Sequence, residues 1–163
     1  MALAPGHHDY RLSDERGRAA LARIAELGVP VVLTQRFEDR RQRHAWDRAE
    51  DLQWPEVLAA AKSFPNLRLM LVNWAAVDGA KLAEAGLRGR CLVDFARLQV
   101  LFRKEVPRLI ETLGPESVAF GSHLPFDYVG GSLVKLANLG HLPPADQERM
   151  AWRNAATFLR LPD

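Results

Sequence analysis

Apolar positions along the chain follow two alternating rhythms. Residues 13–28 (SDERGRAALARIAELG) place Ala20, Leu21, Ile24 and Leu27 on one helical face, with Ser13 as a cap, an acidic first turn and Gly28 as a stop, which predicts an amphipathic helix. Residues 29–33 (VPVVL) follow at once as a β-branched run, the signature of a strand covered on both faces. The same alternation continues. After a polar stretch, residues 54–63 (WPEVLAAAKS) predict a helix with an early proline and alanine-rich propensity, and residues 66–72 (NLRLMLV) a second strand. Residues 78–86 predict a short helix and residues 90–95 a third strand. Residues 98–113 are apolar at helical spacing, with Pro107 starting or kinking a turn, and residues 117–120 read as the fourth strand. Two closing helices are expected over 130–139 and 143–159, the second opened by Pro143 and Pro144 with Asp146 in its first turn.

Helix and buried strand alternating in this way imply parallel strands joined by right-handed crossovers, an α/β fold that is either doubly wound or part of a barrel. Ligands gather at the C-terminal ends of the strands in both architectures, so the residues just after each strand carry the candidate chemistry. Those are Thr34, Gln35 and the charged loop behind them, then Asn73 and Trp74, then Asp94 and Arg97, then Ser122, His123 and Asp127. No linker, low-complexity segment or short-period repeat interrupts the pattern, and one domain over residues 1–163 is expected.

Composition narrows the setting. A chain of 163 residues that is 48% hydrophobic and 26% charged has the balance of a folded protein with its own core. The single cysteine, Cys91, lies in the apolar run CLVDFA, which excludes an intrachain disulfide and points to an inert core thiol in a reducing, cytoplasmic compartment. No basic and apolar leader opens the chain, and no apolar run approaches the roughly 18 to 20 residues of a membrane span. A formal charge of +2 is too small to imply nucleic-acid binding despite a pI near 9.0. Four scattered tryptophans, Trp46, Trp54, Trp74 and Trp152, read as packing residues, and His7 and His8 as a mobile terminus.

PVVL at one strand, FPNLRLMLVNW at the next, LGPESVAFGSHLPF at another and a last helix ending RNAATFLRL together resemble the second half of an amidohydrolase-related, metal-dependent hydrolase. The resemblance spans most of the chain. Its more specific pair of features is the GS-x-xP turn and the Asn154-Ala155 pair of the last helix. It implies a (β/α)8 barrel, divalent metal held by histidines and an aspartate at the strand ends, and hydrolysis of amides or esters or, in some members, decarboxylation. A full barrel takes about 250 residues, so 163 imply a partial barrel of four to five strands and either self-association or a missing N-terminal half.

The positions where this family keeps its ligands differ here. Thr34 and Asn73 stand where histidines are expected, and His123 stands where the aspartate is expected. Thr34 and Asn73 are poor zinc ligands, which leaves the cofactor open; a hard-cation site from Asp94, Asn73 and Asp39 is the alternative. The chain is also similar to a branch of such sequences that pairs E-D-x-R-x-x-H with G-S-H-x-P-F. That likeness groups Glu38, Asp39, Arg41, His44 and His123 in one pocket. The expectation is a small-molecule substrate handled by His123, Asp39 and His44 as catalytic residues and by Gln35, Glu38, Arg41 and Asn73 as binding residues, with Glu38 and Asp39 orienting His44 as a general base and Arg41 clamping a carboxylate. Beside it stand plainer readings: a charged loop is commonly a solvated surface, His123 could cap the strand end, and the chain could be a non-catalytic remnant serving binding or assembly.

Overall fold

The structure is a computed structural model and describes residues 1–99 and 104–161. Its strands are β1 (Ala2–Leu3), β2 (Val31–Thr34), β3 (Leu69–Val72), β4 (Cys91–Asp94) and β5 (Val118–Ala119). All four pairings are parallel, and the strands lie in sequence order from β1 to β5. The helices are α1 (Glu15–Leu27), α2 (Trp54–Ser63), α3 (Gly79–Glu84), α4 (Glu105–Leu113), α5 (Val129–Ala137), α6 (Pro144–Glu148) and α7 (Asn154–Leu159), the last two joined by a π-helical turn at Arg149–Arg153. This is the expected α/β order, a stretch of parallel βα units.

Local chemistry accounts for the boundaries. The cap of α1 is Asp14 rather than Ser13: its carboxylate accepts from the Gly17 N–H at 2.7 Å, and Gly28 stops the helix in the left-handed region at φ 61°. The helix expected over 98–113 forms only from Glu105 onward; Leu98 and Gln99 precede it without helical bonding, and residues 100–103 lie outside the described residues. Strand β1 was not anticipated. Two residues carry too little pattern to read, and the strand exists because its neighbour holds it: Ala2 and Leu3 pair with Val32 and Leu33, and the terminal ammonium donates to the Pro30 carbonyl at 2.8 Å.

One face of the sheet packs Val31, Leu33, Leu69, Leu71 and Val93 against Leu21 and Ile24 of α1, Val57 of α2, Leu82 of α3 and Leu109 of α4. The other face is covered by α7, whose Phe158 packs on Leu92 and Ala119 with Met70 beside them. β4 and β5 are buried throughout, whereas in β2 and β3 buried and half-buried positions alternate, so double-sided cover is complete toward the β5 side of the sheet. At the N-terminal end of the sheet the Arg90 guanidinium donates to the carbonyls of Gly86 (2.7 Å), Leu67 (2.8 Å) and Ala61 (3.1 Å), satisfying acceptors that helix ends leave open.

The outer edge of β5 is sealed by the chain itself. Phe120 N–H donates to the Met150 carbonyl at 2.7 Å, and the Asn154 amide donates to the carbonyls of Val118 (2.8 Å) and Pro115 (2.7 Å). The closing helix thereby supplies the partners a further strand would supply, and Asn154 does so with a side chain.

Candidate functional site

Three polar side chains meet where β3, β4 and β5 end. Asn73 follows β3 with φ 59°, and His123 follows β5 with φ 55°, both in the left-handed region that non-glycine residues enter at a cost. Asp94 ends β4, with its Oδ1 accepting from the Asn73 backbone N–H at 3.1 Å. The Asn73 amide nitrogen donates to the Arg36 carbonyl at 2.5 Å and lies 2.9 Å from His123 Nε2. That ring nitrogen also touches the Phe37 carbonyl. The Nε2–H tautomer therefore donates to Phe37, whereas the Nδ1–H tautomer lets Nε2 accept from Asn73. Phe126 stacks on the imidazole at 5.4 Å between centroids. Gly121 is required here, because a Cβ at that position would stand 2.4 Å from Asp94 Oδ2.

Asp94 is the unusual group. It is 3% exposed, and no ion pair to it forms among the described residues. Burial pushes its carboxyl up to about 6, against the N–H groups of Asn73 and Ala96 and the more distant charges of His123 and Lys135, which favour the anion. Next to it, Asn73 Oδ1 is buried without a hydrogen-bond partner. Sequence reasoning placed Asp94 at a strand end without giving it a catalytic role; the available signal was a lone carboxylate inside CLVDFA.

The charged loop after β2 is ordered from within. Asp51, 4% exposed, accepts from Arg36, Arg40 and Arg43, each at 2.9 Å; Arg36 and Arg43 turn inward with it, while Arg40 reaches it from the surface. Asp39 is taken by Arg41 at 3.0 Å and by Arg97, and these hydrogen bonds hold its carboxyl well below the usual carboxylate range. Asp39 is thus committed to two arginines and not to His44, the residue it was expected to orient. His44 is exposed, accepts from the Trp46 N–H at 3.2 Å and makes no hydrogen bond to Glu38 or Asp39, so the expected general-base pair does not assemble. Among the described residues, Glu38 engages through its carbonyl, reached by Arg43 at 3.5 Å, and its carboxylate forms no ion pair. Gln35 is a latch: its side-chain oxygen accepts from the Ala75 N–H at 3.2 Å. Of the expected residues, only His123 and Asn73 come together at the strand ends, while Arg41 lines the adjoining cleft. His7 is not a loose terminus, since it lies 3.6 Å from Asp47 and packs edge-on against Phe37 at 4.6 Å. Trp54 and Trp74 pack as expected, 4.2 Å apart, but Trp46 is 87% exposed. Burial pushes the Cys91 thiol up to about 12, which makes it inert.

Beside the cluster opens a cleft of about 560 Å³, lined by Arg41, Arg97, Ser122, Tyr128, Ser132 and Lys135 among others. Ser132 and Lys135 stand three residues apart on one face of α5. The Lys135 ammonium is half-buried and donates to the carbonyls of Phe95, at 3.4 Å, and Ala96.

The donor set does not suit the divalent metal that the fold implies. Among the described residues, no group of three His, Cys, Asp or Glu side chains could hold an ion. Asn73 turns its amide hydrogens, not its oxygen, toward His123, because the Arg36 carbonyl fixes that orientation. The alternative set of Asp94, Asn73 and Asp39 is equally unsuited, with Asp39 committed to two arginines.

Known proteins resemble this chain in fold. It superposes on 5-carboxyvanillate decarboxylase from Sphingomonas paucimobilis with a TM-score of 0.68 at 13% identity, covering 94% of this chain and 56% of that one. For a TIM-barrel protein from Bordetella bronchiseptica the TM-score is 0.69 at 15% identity, with 98% and 57% covered. For amidohydrolase 2 from Bifidobacterium longum subsp. infantis it is 0.62 at 16% identity, with 91% and 57% covered. The chain thus spans a little over half the length of these proteins, and its sheet corresponds to part of a TIM barrel. No curated protein sequence matches it. A family model described as amidohydrolase matches residues 3–161, and the chain belongs to that family.

Proposed function

We propose that this chain carries a hydrolase- or decarboxylase-type site for a small carboxylate, amide or ester, run by protein acid–base groups in place of the family's strand-end metal ligands. The observation that carries the reading is Asp94, a buried carboxyl with no ion pair among the described residues, set against His123 and Asn73 at the C-terminal end of the sheet. A carboxyl held at about 6 is poised to give and take a proton near neutral pH. In decarboxylation it would protonate the carbon that CO2 leaves; in hydrolysis, as water adds to the acyl carbon and gives its proton to the His123 ring nitrogen, it would protonate the departing amine or alkoxide. His123 contributes its ring nitrogen, switching between Phe37 and Asn73 as its proton moves. The TIM-barrel likeness supports the placement, since barrels of this kind build their sites at the strand C-termini.

The test is turnover of a panel of small aromatic and aliphatic carboxylates, esters and amides, followed by CO2 release and by loss of substrate, with and without EDTA. Turnover that survives EDTA and is lost in Asp94→Asn is expected. Activity that vanishes with EDTA and returns with added metal would overturn the metal-independent part. No turnover of any member would favour the second reading, a binding or assembly role, which the partial coverage of the barrel relatives motivates. Under that reading the edge of β1 pairs with a second copy or with a complementary half-barrel, and light scattering at micromolar concentration would report a dimer or larger.

A further inference from the structure

Lys135 is a cation without a carboxylate. Arg97 shares Asp39 and Asp127, the latter at 3.6 Å, and Arg41 shares Asp39, but Lys135 meets only the backbone carbonyls of Phe95 and Ala96 and forms no ion pair among the described residues. The cleft wall therefore holds three cationic side chains, Arg41, Arg97 and Lys135, against the carboxylates of Asp39 and Asp127. The excess charge sits at the half-buried Lys135. Burial is the largest influence on this ammonium and works against its charge, as does Arg97, while the charges of Asp94, Asp127 and Glu105 favour it without pairing with it; a directly bound anion would supply the contact they do not. Ser122 and Ser132 add neutral donors to the same wall, and about 560 Å³ accommodates a small organic molecule.

We propose that Lys135, flanked by Arg97, binds the carboxylate of a small organic acid in this cleft, and that the site selects monoanionic carboxylates over the matching neutral amides and esters. The inference rests on the reading that this cleft receives the substrate. It names the substrate class and assigns the selectivity to a helix α5 side chain that no strand-end rule would single out.

Calorimetric titration of the full chain at pH 7 with acetate, benzoate, benzamide and inorganic phosphate tests this without requiring turnover. Benzoate is expected to bind and benzamide not, with affinity falling as salt rises. Lys135→Met is expected to weaken benzoate by about 10- to 100-fold, the scale of one charge-assisted contact. Lys135→Arg, which keeps the charge, is expected to stay within about threefold of wild type. Should Lys135→Met fail to fold by circular dichroism, the arginine variant and the salt dependence of the wild type decide instead. Equal binding of benzoate and benzamide, unchanged binding in Lys135→Met, a salt-independent affinity, phosphate binding more tightly than either carboxylate, or no carboxylate binding at all would each overturn the proposal. Lys135-dependent binding without turnover leaves the proposal standing and removes the catalytic reading; turnover indifferent to Lys135→Met removes this proposal alone.

Discussion

Asp51 and Asp94 are equally buried, at 4% and 3% exposure, and their surroundings are opposite. Asp51 lies among three arginines, each 2.9 Å away, and so organises the loop after β2. Asp94 has backbone N–H groups and a polar neighbour but no ion pair among the described residues, and its proton stays on to about pH 6. The difference separates structure from chemistry. A carboxylate answered by cations is fixed in one protonation state and holds elements together, whereas one left unanswered at a strand end can exchange protons in the range where enzymes work.

The comparison can be broken in three places. The largest effect is expected at Asp51→Ala, which strands the buried charge of Arg36 and leaves Arg43 with Asp47 alone; a loss of about 3–5 kcal/mol should appear in urea unfolding. A loss below about 1 kcal/mol would mean that the loop is held by something else.

Asp94→Asn is expected to act in the opposite direction. The folded-state carboxyl titrates at about 6 against an ordinary 3.8, so its contribution to stability is greatest below pH 3.8 and is lost as pH rises through 6. At pH 8 the buried anion costs about 3 kcal/mol, which the asparagine variant should recover while losing turnover. Unfolding midpoints between pH 4.5 and 8 should fall with pH in the wild type and stay flat in the variant; parallel profiles would show that Asp94 is not the titrating group.

The smallest effect on folding is expected at His123→Ala, below about 1 kcal/mol, because the ring is half-buried and its backbone sits in a region where a side chain adds little stability. Ligand affinity or turnover should fall much further. A large drop in the denaturant midpoint with binding intact would make His123 a structural cap of the β5 end.

Much of the fold could be read from the chain because its elements announce themselves locally. The apolar runs before Thr34 and Asn73 and the capped amphipathic α1 need no long-range information. Strand β1 could not be read this way, since Ala2 and Leu3 become a strand only by lying against Val32 and Leu33. The charged loop misled for a related reason. Alternating signs look like a solvated surface until the chain folds Asp51 beneath its arginines, and the spacing of Glu38, Asp39 and His44 says nothing about which arginine claims Asp39 first.

By itself, the sequence determined the order of helices and strands, the parallel α/β class, the family resemblance and the set of strand-end residues in which a site would lie, because periodicity, capping and motif are properties of neighbours along the chain. Only the tertiary structure decided which of those residues meet. Asp94 is buried without a counter-ion among the described residues, which raises its carboxyl, Asp39 is claimed by Arg97, fifty-eight positions away, instead of orienting His44, and Lys135 enters the cleft from α5. Each of these depends on desolvation and on charges brought close in space, which spacing along the chain does not encode.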